Sequence, residues 1–128
     1  MRRELTSHKV NGLNEDLNIV VCDEPGHGGA CHTYQINYCL NPGTADGGVN
    51  PMCRIDFQNG PVQEHGINGI TQEALPAIVE DRMIGFQSGP FACRENAVAL
   101  AKIQEAMMWL QKRTLDRVRR GVEGTSEK

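Results

Sequence analysis

Residues 85–121 read GFQSGPFACRENAVALAKIQEAMMWLQKRTLDRVRRG, and this stretch decides the fold. Ser88-Gly89-Pro90 ends one helical pattern and opens another, because glycine tolerates a turn and proline suits a first helical position. Past the break, Leu100, Ile103, Met107 and Leu110 recur in a heptad-like seam, and Gly121 stops the pattern. The second helix is therefore predicted from Phe91 to about Arg120. Before the break, Leu75, Ile78, Val79, Arg82, Met83 and Phe86 share one side of a 3.6-residue period. Thr71, with Gln72 and Glu73 behind it, fits an N-cap, while Pro76 sits late for a first-turn proline. That proline predicts either a 3₁₀ opening turn or a later start. Two helices joined by so short a turn make an antiparallel hairpin.

Upstream of the hairpin the pattern changes from helix to strand. Residues 1–16 mix charge with Asn and Gly and show no period, which reads as an N-terminal arm. Leu17–Cys22 (LNIVVC) is a short β-branched run, and Ala30–Leu40 (ACHTYQINYCL) alternates. The Pro/Gly loop Asp23–Gly29 lies between them, and Asn41–Pro51 is again turn chemistry. Met52–Gln58 and Val62–Ile67 flank Asn59-Gly60-Pro61 and predict an antiparallel pair. The fold class expected is α+β, as one domain: arm 1–16, β part 17–69, helical hairpin 70–121 and a polar tail 122–128. Val98 and Trp109 project from a side of the long helix other than the Leu100 seam, so one neighbouring helix cannot cover both; this predicts an oligomer.

At 128 residues the chain can bury a core without staples. A formal net charge of −3 argues against binding long DNA or RNA, which needs a basic face over the whole domain. Positive charge is local instead: Lys112–Arg120 holds five basic residues against one acid, Asp116, which favours a small anion. The five cysteines follow no paired spacing, and no apolar leader or membrane-length run is present, so free thiols in a reducing cytosol are expected.

Arg113, Arg117 and Arg120 are spaced i, i+4, i+7 along one stripe of the last helical turns, beside the Leu110 seam. They complement the helix dipole in any case, and they could also hold an anion. Phe86 and Asn96 flank the hairpin turn; one is an ordinary core ring and the other an ordinary surface amide, or together they grip a purine. Arg82, one turn before Phe86, joins the same group or snorkels. His27, in the loop PGHGG, could donate to a phosphate or ribose, although the loop lacks the Lys-Ser/Thr of a P-loop. No Cys/His spacing suits a metal, and Glu64, His65, His32 and Glu95 come with no nucleophile or orienting partner, so capture is favoured over catalysis. Asn96 and Arg113 are seventeen positions apart, or roughly 25 Å of helix. A mononucleotide-sized ligand touching both must lie between two chains packed antiparallel.

With these residues laid out, Phe57–Thr71 (FQNGPVQEHGINGIT), Gly85–Asn96 (GFQSGPFACREN) and Trp109–Gly124 resemble the phage anti-Thoeris sponge family, whose helical hairpin also occurs in an anti-CBASS sponge family. The resemblance covers the chain from about residue 50 through the hairpin. It implies a protein acting in the host bacterial cytoplasm that sequesters glycocyclic ADP-ribose isomers made by TIR enzymes without cleaving them, and no cofactor. It also implies a base held by Phe86 and Asn96, and a diphosphate held by Arg113 and Arg117 across a dimer interface. Some members form hexamers as trimers of dimers and hold cyclic di- or trinucleotides at a separate site. An additional arginine from the β region has Arg54 as its nearest counterpart here. The alternatives from other classes are a hydrolase of such signals and a protein-binding module that docks an acidic partner.

Overall fold

A computed structural model describes residues 3–39 and 49–126. Of the turn expected at Asn41–Pro51, residues 41–48 lie outside the described residues, as do the last two residues of the tail, and Val49–Pro51 is strand and not turn. The chain divides into two compact units, residues 1–60 with 65–70, and residues 61–64 with 71–128.

The first unit is built on a four-stranded antiparallel sheet in the order β1-β2-β3-β4, comprising β1 (Arg3–Leu5), β2 (Leu17–Val21), β3 (Thr33–Cys39) and β4 (Val49–Asp56). Its register aligns Val21, Tyr34 and Ile55, then Ile19, Ile36 and Cys53, so alternate residues place one apolar face together. Val21 is the fully buried centre of that face, at 0% exposure. Tyr34 meets Phe57 edge to face at 5.7 Å. Pro51, which has no N–H to donate, is tolerated because β4 pairs only with β3, and the register shifts beside it.

Two expectations are corrected in this region. The aperiodic N-terminal residues are not an arm throughout: Arg3–Leu5 pairs with Ile19–Val21, and Gly12–Asp16 forms a short helix α1. Asn11 caps α1 by accepting the Asn14 N–H at 3.0 Å, an Asx-type signal that apolar periodicity does not reveal. Val62–Ile67 is not the second arm of a β-hairpin. Val62–His65 is instead a helical turn, α2, and the chain returns to the sheet only at the parallel bridge from Ile70 to Phe57.

The helical hairpin of the second unit consists of α3 (Ala74–Gln87) and α4 (Arg94–Arg120). Both predicted alternatives hold at the start of α3: the Ala74 N–H bonds back three residues to Thr71 O, a turn of 3₁₀ type, and the α-helix begins only at Ala74, so that Pro76 falls in the first turn, where a missing N–H leaves no helical bond unmade. Thr71 is therefore not the N-cap; Glu73 precedes the helix without a side-chain cap. The predicted seam on α4 is the partly buried one, and it is longer than four residues. Asn96, Leu100, Ile103, Met107, Leu110, Thr114 and Arg117 form one continuous stripe of reduced exposure. On α3 the matching stripe is Pro76, Glu80, Met83 and Gln87. Of the side read from the sequence, Leu75 and Met83 are partly buried, whereas Ile78, Val79 and Phe86 lie on the flank and are exposed. The apolar residues of α3 and its charges Glu80, Asp81 and Arg82 are not segregated to opposite faces, so periodicity could not choose between them.

α4 begins three residues later than expected. Phe91–Cys93 form the turn, and Cys93, extended at φ −153°, accepts the Asn96 N–H on its sulfur at 3.4 Å. Gln87 closes the turn with two bonds to Cys93, donating to its carbonyl at 3.1 Å and accepting its N–H at 3.0 Å. A thiol is a weak acceptor compared with a hydroxyl. Cys93→Ser should therefore raise hairpin stability by roughly 0.5–1 kcal/mol, as a true N-cap replaces a poor one. Chemical denaturation followed by helical circular dichroism measures this, and a loss of stability would contradict the capping geometry.

Candidate functional site

The hairpin turn assembles an aromatic and amide group from residues that the Gln87–Cys93 bonds hold in register. Phe86 lies edge to face with Phe91, ring centroids 6.4 Å apart, and the Arg82 guanidinium stands 5.4 Å from the Phe86 centroid. Phe91 is 71% exposed and Phe86 38% exposed, so this is an open ring pair with a cation over it and not a core. Asn96 is half-buried at the start of the α4 seam, and its side-chain amide makes no hydrogen bond among the described residues. A planar ring, an amide with both functions available and a guanidinium can receive a purine. Phe91 is the member that sequence reasoning missed. Placing it inside the helix hid it, although its position directly after Gly89-Pro90 is the signal that could have marked it as a turn residue.

At the other end of α4 the five cations separate into two stripes. Lys112 and Arg119 both address Asp116, at 2.7 and 3.9 Å. The Lys112 ammonium, through its hydrogen bond, holds the Asp116 carboxyl below its ordinary value, with Arg119 adding to the effect. Arg113, Arg117 and Arg120 form the second stripe, but they are not equivalent. Arg113 is exposed and has no partner among the described residues, and Arg120 is exposed as well. Arg117 is 8% exposed, and its guanidinium addresses the chain just beyond the helix. This burial was legible in principle, because position 117 continues the alternating spacing of the seam.

The two sequence-predicted residues of the first unit have separate surroundings. Arg54 is paired in a two-point contact with Asp56, Nε to Oδ2 at 3.1 Å and Nη2 to Oδ1 at 3.2 Å. The hydrogen bond from Arg54 holds the Asp56 carboxyl below its ordinary value, and Thr33 donates to the same carboxylate at 3.1 Å. His27 is exposed on a 3₁₀ turn, His27–Gly29. The loop beneath it is closed by Asp23, which accepts the backbone N–H groups of His32 at 2.9 Å and Thr33 at 3.1 Å. His32 is buried under this loop, with Nδ1 unpartnered.

A shallow depression of about 290 Å³ lies on α4, lined by Met108, Gln111, Lys112, Leu115, Asp116 and Arg119. All six residues come from one helix, so the depression has no opposing wall to enclose a ligand, and it contains the Lys112, Asp116 and Arg119 stripe but none of Phe86, Asn96, Arg113 or Arg117.

Two likenesses to known proteins bear on these residues. The family model described as Acb2/Tad1, hairpin domain, matches residues 50–115. A curated relative, Thoeris anti-defense 1 of Bacillus phage SBSphiJ7, is 54% identical over 77 residues, which is 60% of this chain and 54% of the relative. The chain thus spans about half the length of the curated relative it matches.

The Asp23 clamp makes a pH prediction. Its carboxyl is lowered from 3.8, first by the His32 N–H, so the stabilisation is fully present above pH 3.8 and is lost as pH falls through the lowered value. Hydrogen exchange should show the His32 and Thr33 amides protected at pH 6, and deprotected at the same pH in Asp23→Asn. It should also show the gap between the two chains closing in strong acid. Equal protection in both proteins at pH 6 would remove Asp23 from the loop's closure.

Proposed function

This chain belongs to the Acb2/Tad1 hairpin-domain family, and from that premise we propose that it is an anti-defence sponge: it captures a glycocyclic ADP-ribose signal made by a TIR enzyme and holds it without cleaving it. The observation that carries the reading is the distribution of groups along one helix of 27 residues. A purine-receiving set lies at its start and an exposed cation stripe near its end, roughly 25 Å apart. Cyclic ADP-ribose isomers combine a purine with a diphosphate in one compact ring, which is the pair of features these two ends suit.

Because one ligand cannot bridge both ends of one hairpin, the site takes its turn from one chain and its arginines from a second, antiparallel copy. The exposed flank of α3, with Ile78, Val79 and Phe86, and the exposed Val98, Met108 and Trp109 of α4 supply apolar surface for that copy to cover. In this arrangement Phe86 stacks on the adenine beneath Arg82, Asn96 addresses the base edge, and Arg113 faces the diphosphate with Arg117 and Arg120 adding positive field. Charge-assisted bonds in a partly dried interface are strong, and capture needs only tight binding: a nanomolar complex corresponds to about −12 kcal/mol. The relative's name, Thoeris anti-defense 1, supports the biological setting.

The purified protein should retain a nucleotide from lysate of TIR-expressing cells and release it intact on heating; recovery of ADP-ribose in its place would indicate hydrolysis and overturn the sponge reading. Light scattering on the same sample should give a dimer or a multiple of it. Phe86→Ala should weaken capture by about 1–3 kcal/mol, as for lost base stacking, and Arg113→Ala by about 1.5–3 kcal/mol. Both should keep the helical content. Unchanged affinity of either variant in calorimetry would exclude that residue from the site.

A further inference from the structure

We propose that Phe91 is a positioning residue for capture: standing across Phe86, it holds that ring in a single rotamer with one face turned to the base. The capture half of this inference rests on the sponge reading above; the hold on the ring does not.

Phe86 is the penultimate residue of α3 and is 38% exposed, so the helix fixes its Cα while its own burial does little to select a rotamer. Two neighbouring groups bear on the ring instead. The Arg82 guanidinium, one turn earlier, stands over it at 5.4 Å from the centroid, and the Phe91 ring crosses it at 6.4 Å and 69°. Arg82 reaches Phe86 from the same helix on a long flexible stem, so it can follow the ring wherever it turns. Phe91 comes from beyond the turn and has only two side-chain torsions.

The backbone that carries Phe91 is closed on both sides. The Gly89 N–H donates to Phe86 O at 3.2 Å and the Ala92 N–H to Gly89 O at 3.3 Å. Beyond it, the Gln87 amide holds both backbone groups of Cys93. Phe91 is thus anchored to Phe86 and to the residue after it, whichever way its ring points.

The exposure of Phe91 argues against a packing role. A ring left 71% in solvent gains little from burial, so the hydrophobic effect does not account for its place. An edge-to-face contact is directional, and its gain depends on keeping both rings at a set angle. Its product is order in Phe86, and a ring already held in the bound rotamer spares the complex the entropy of freezing it. A Phe91 that touched the base itself would add its contact with or without Phe86. One that acts through Phe86 contributes nothing once that ring is gone.

A double-mutant cycle separates the two. Glycocyclic ADP-ribose is titrated calorimetrically into wild type, Phe91→Leu, Phe86→Ala and the variant carrying both changes. Without ligand, the Phe86 rotamer populations are read from the three-bond couplings of its Cγ to the backbone nitrogen and carbonyl carbon. The expected result is one dominant Phe86 rotamer in wild type and averaging among rotamers in Phe91→Leu, at unchanged helical content. Capture should weaken by roughly two- to ten-fold in Phe91→Leu, the range for ordering one side chain, with no further loss when Phe91→Leu is added to Phe86→Ala. Additive losses would overturn the proposal, because Phe91 would then touch the ligand directly. An unchanged Phe86 rotamer in Phe91→Leu would overturn it whatever the affinity. If wild type itself binds nothing, the sponge reading fails and the couplings still decide whether Phe91 orders Phe86.

Discussion

The packing of α4 on α3 along one stripe is the constraint on which the second unit depends. A stripe with alternating spacings of three and four keeps to one side of a helix over about six turns, of which the shorter α3 is long enough to cover about four. Everything else on α4 is left to solvent or to another chain. Leu100, Ile103, Met107 and Leu110 make the apolar middle of that stripe, while its ends are polar: Asn96 at the turn and Arg117 at the exit. The seam therefore orients an amide at one end and buries a guanidinium at the other, and its apolar middle sets the distance between them.

Each end of the helix is closed by polar groups of a kind that serves more than closure. At the start, Gln87 satisfies both backbone groups of Cys93, which frees Phe86 and Phe91 to meet in solvent. At the finish, the left-handed Gly121 turns the chain back and Arg117 satisfies the carbonyls it exposes. Because Arg117 is buried, an unmade bond at the finish would cost more than the modest net gain of making it. Stability at both ends thus comes from hydrogen bonding around the groups that present a ring and a cation stripe outward, and the apolar flank of α3 remains the surface with most to gain from a second chain.

Legibility from sequence varied with how local the determining interaction was. The α4 seam, the Gly121 stop, strands β2 and β3 and the Pro76 alternative were readable because each depends on spacing or on one residue's backbone preference. β1 was not, since three residues pair only because β2 offers an edge. Val62–His65 was read as strand because Asn-Gly-Pro predicts a hairpin turn, whereas bonds from Gln63 to the distant tail hold it as a helical turn. The face of α3 was misread because a helix whose apolar and charged residues are not segregated carries no phase. Phe86, Asn96 and Arg113 were identifiable as candidates by type and position; Phe91 was missed through a three-residue error in where α4 begins.

The sequence by itself determined that a sheet-forming segment precedes a long amphipathic hairpin and that cations gather at its end, because periodicity and composition act over a few neighbouring residues. Only the tertiary structure decided which stripe of α3 is covered, and that of three arginines on one stripe Arg117 is enclosed while Arg113 stays exposed. Those outcomes depend on where the chain returns after a left-handed turn and on bonds between residues 63 and 124, separations at which a linear pattern holds no information.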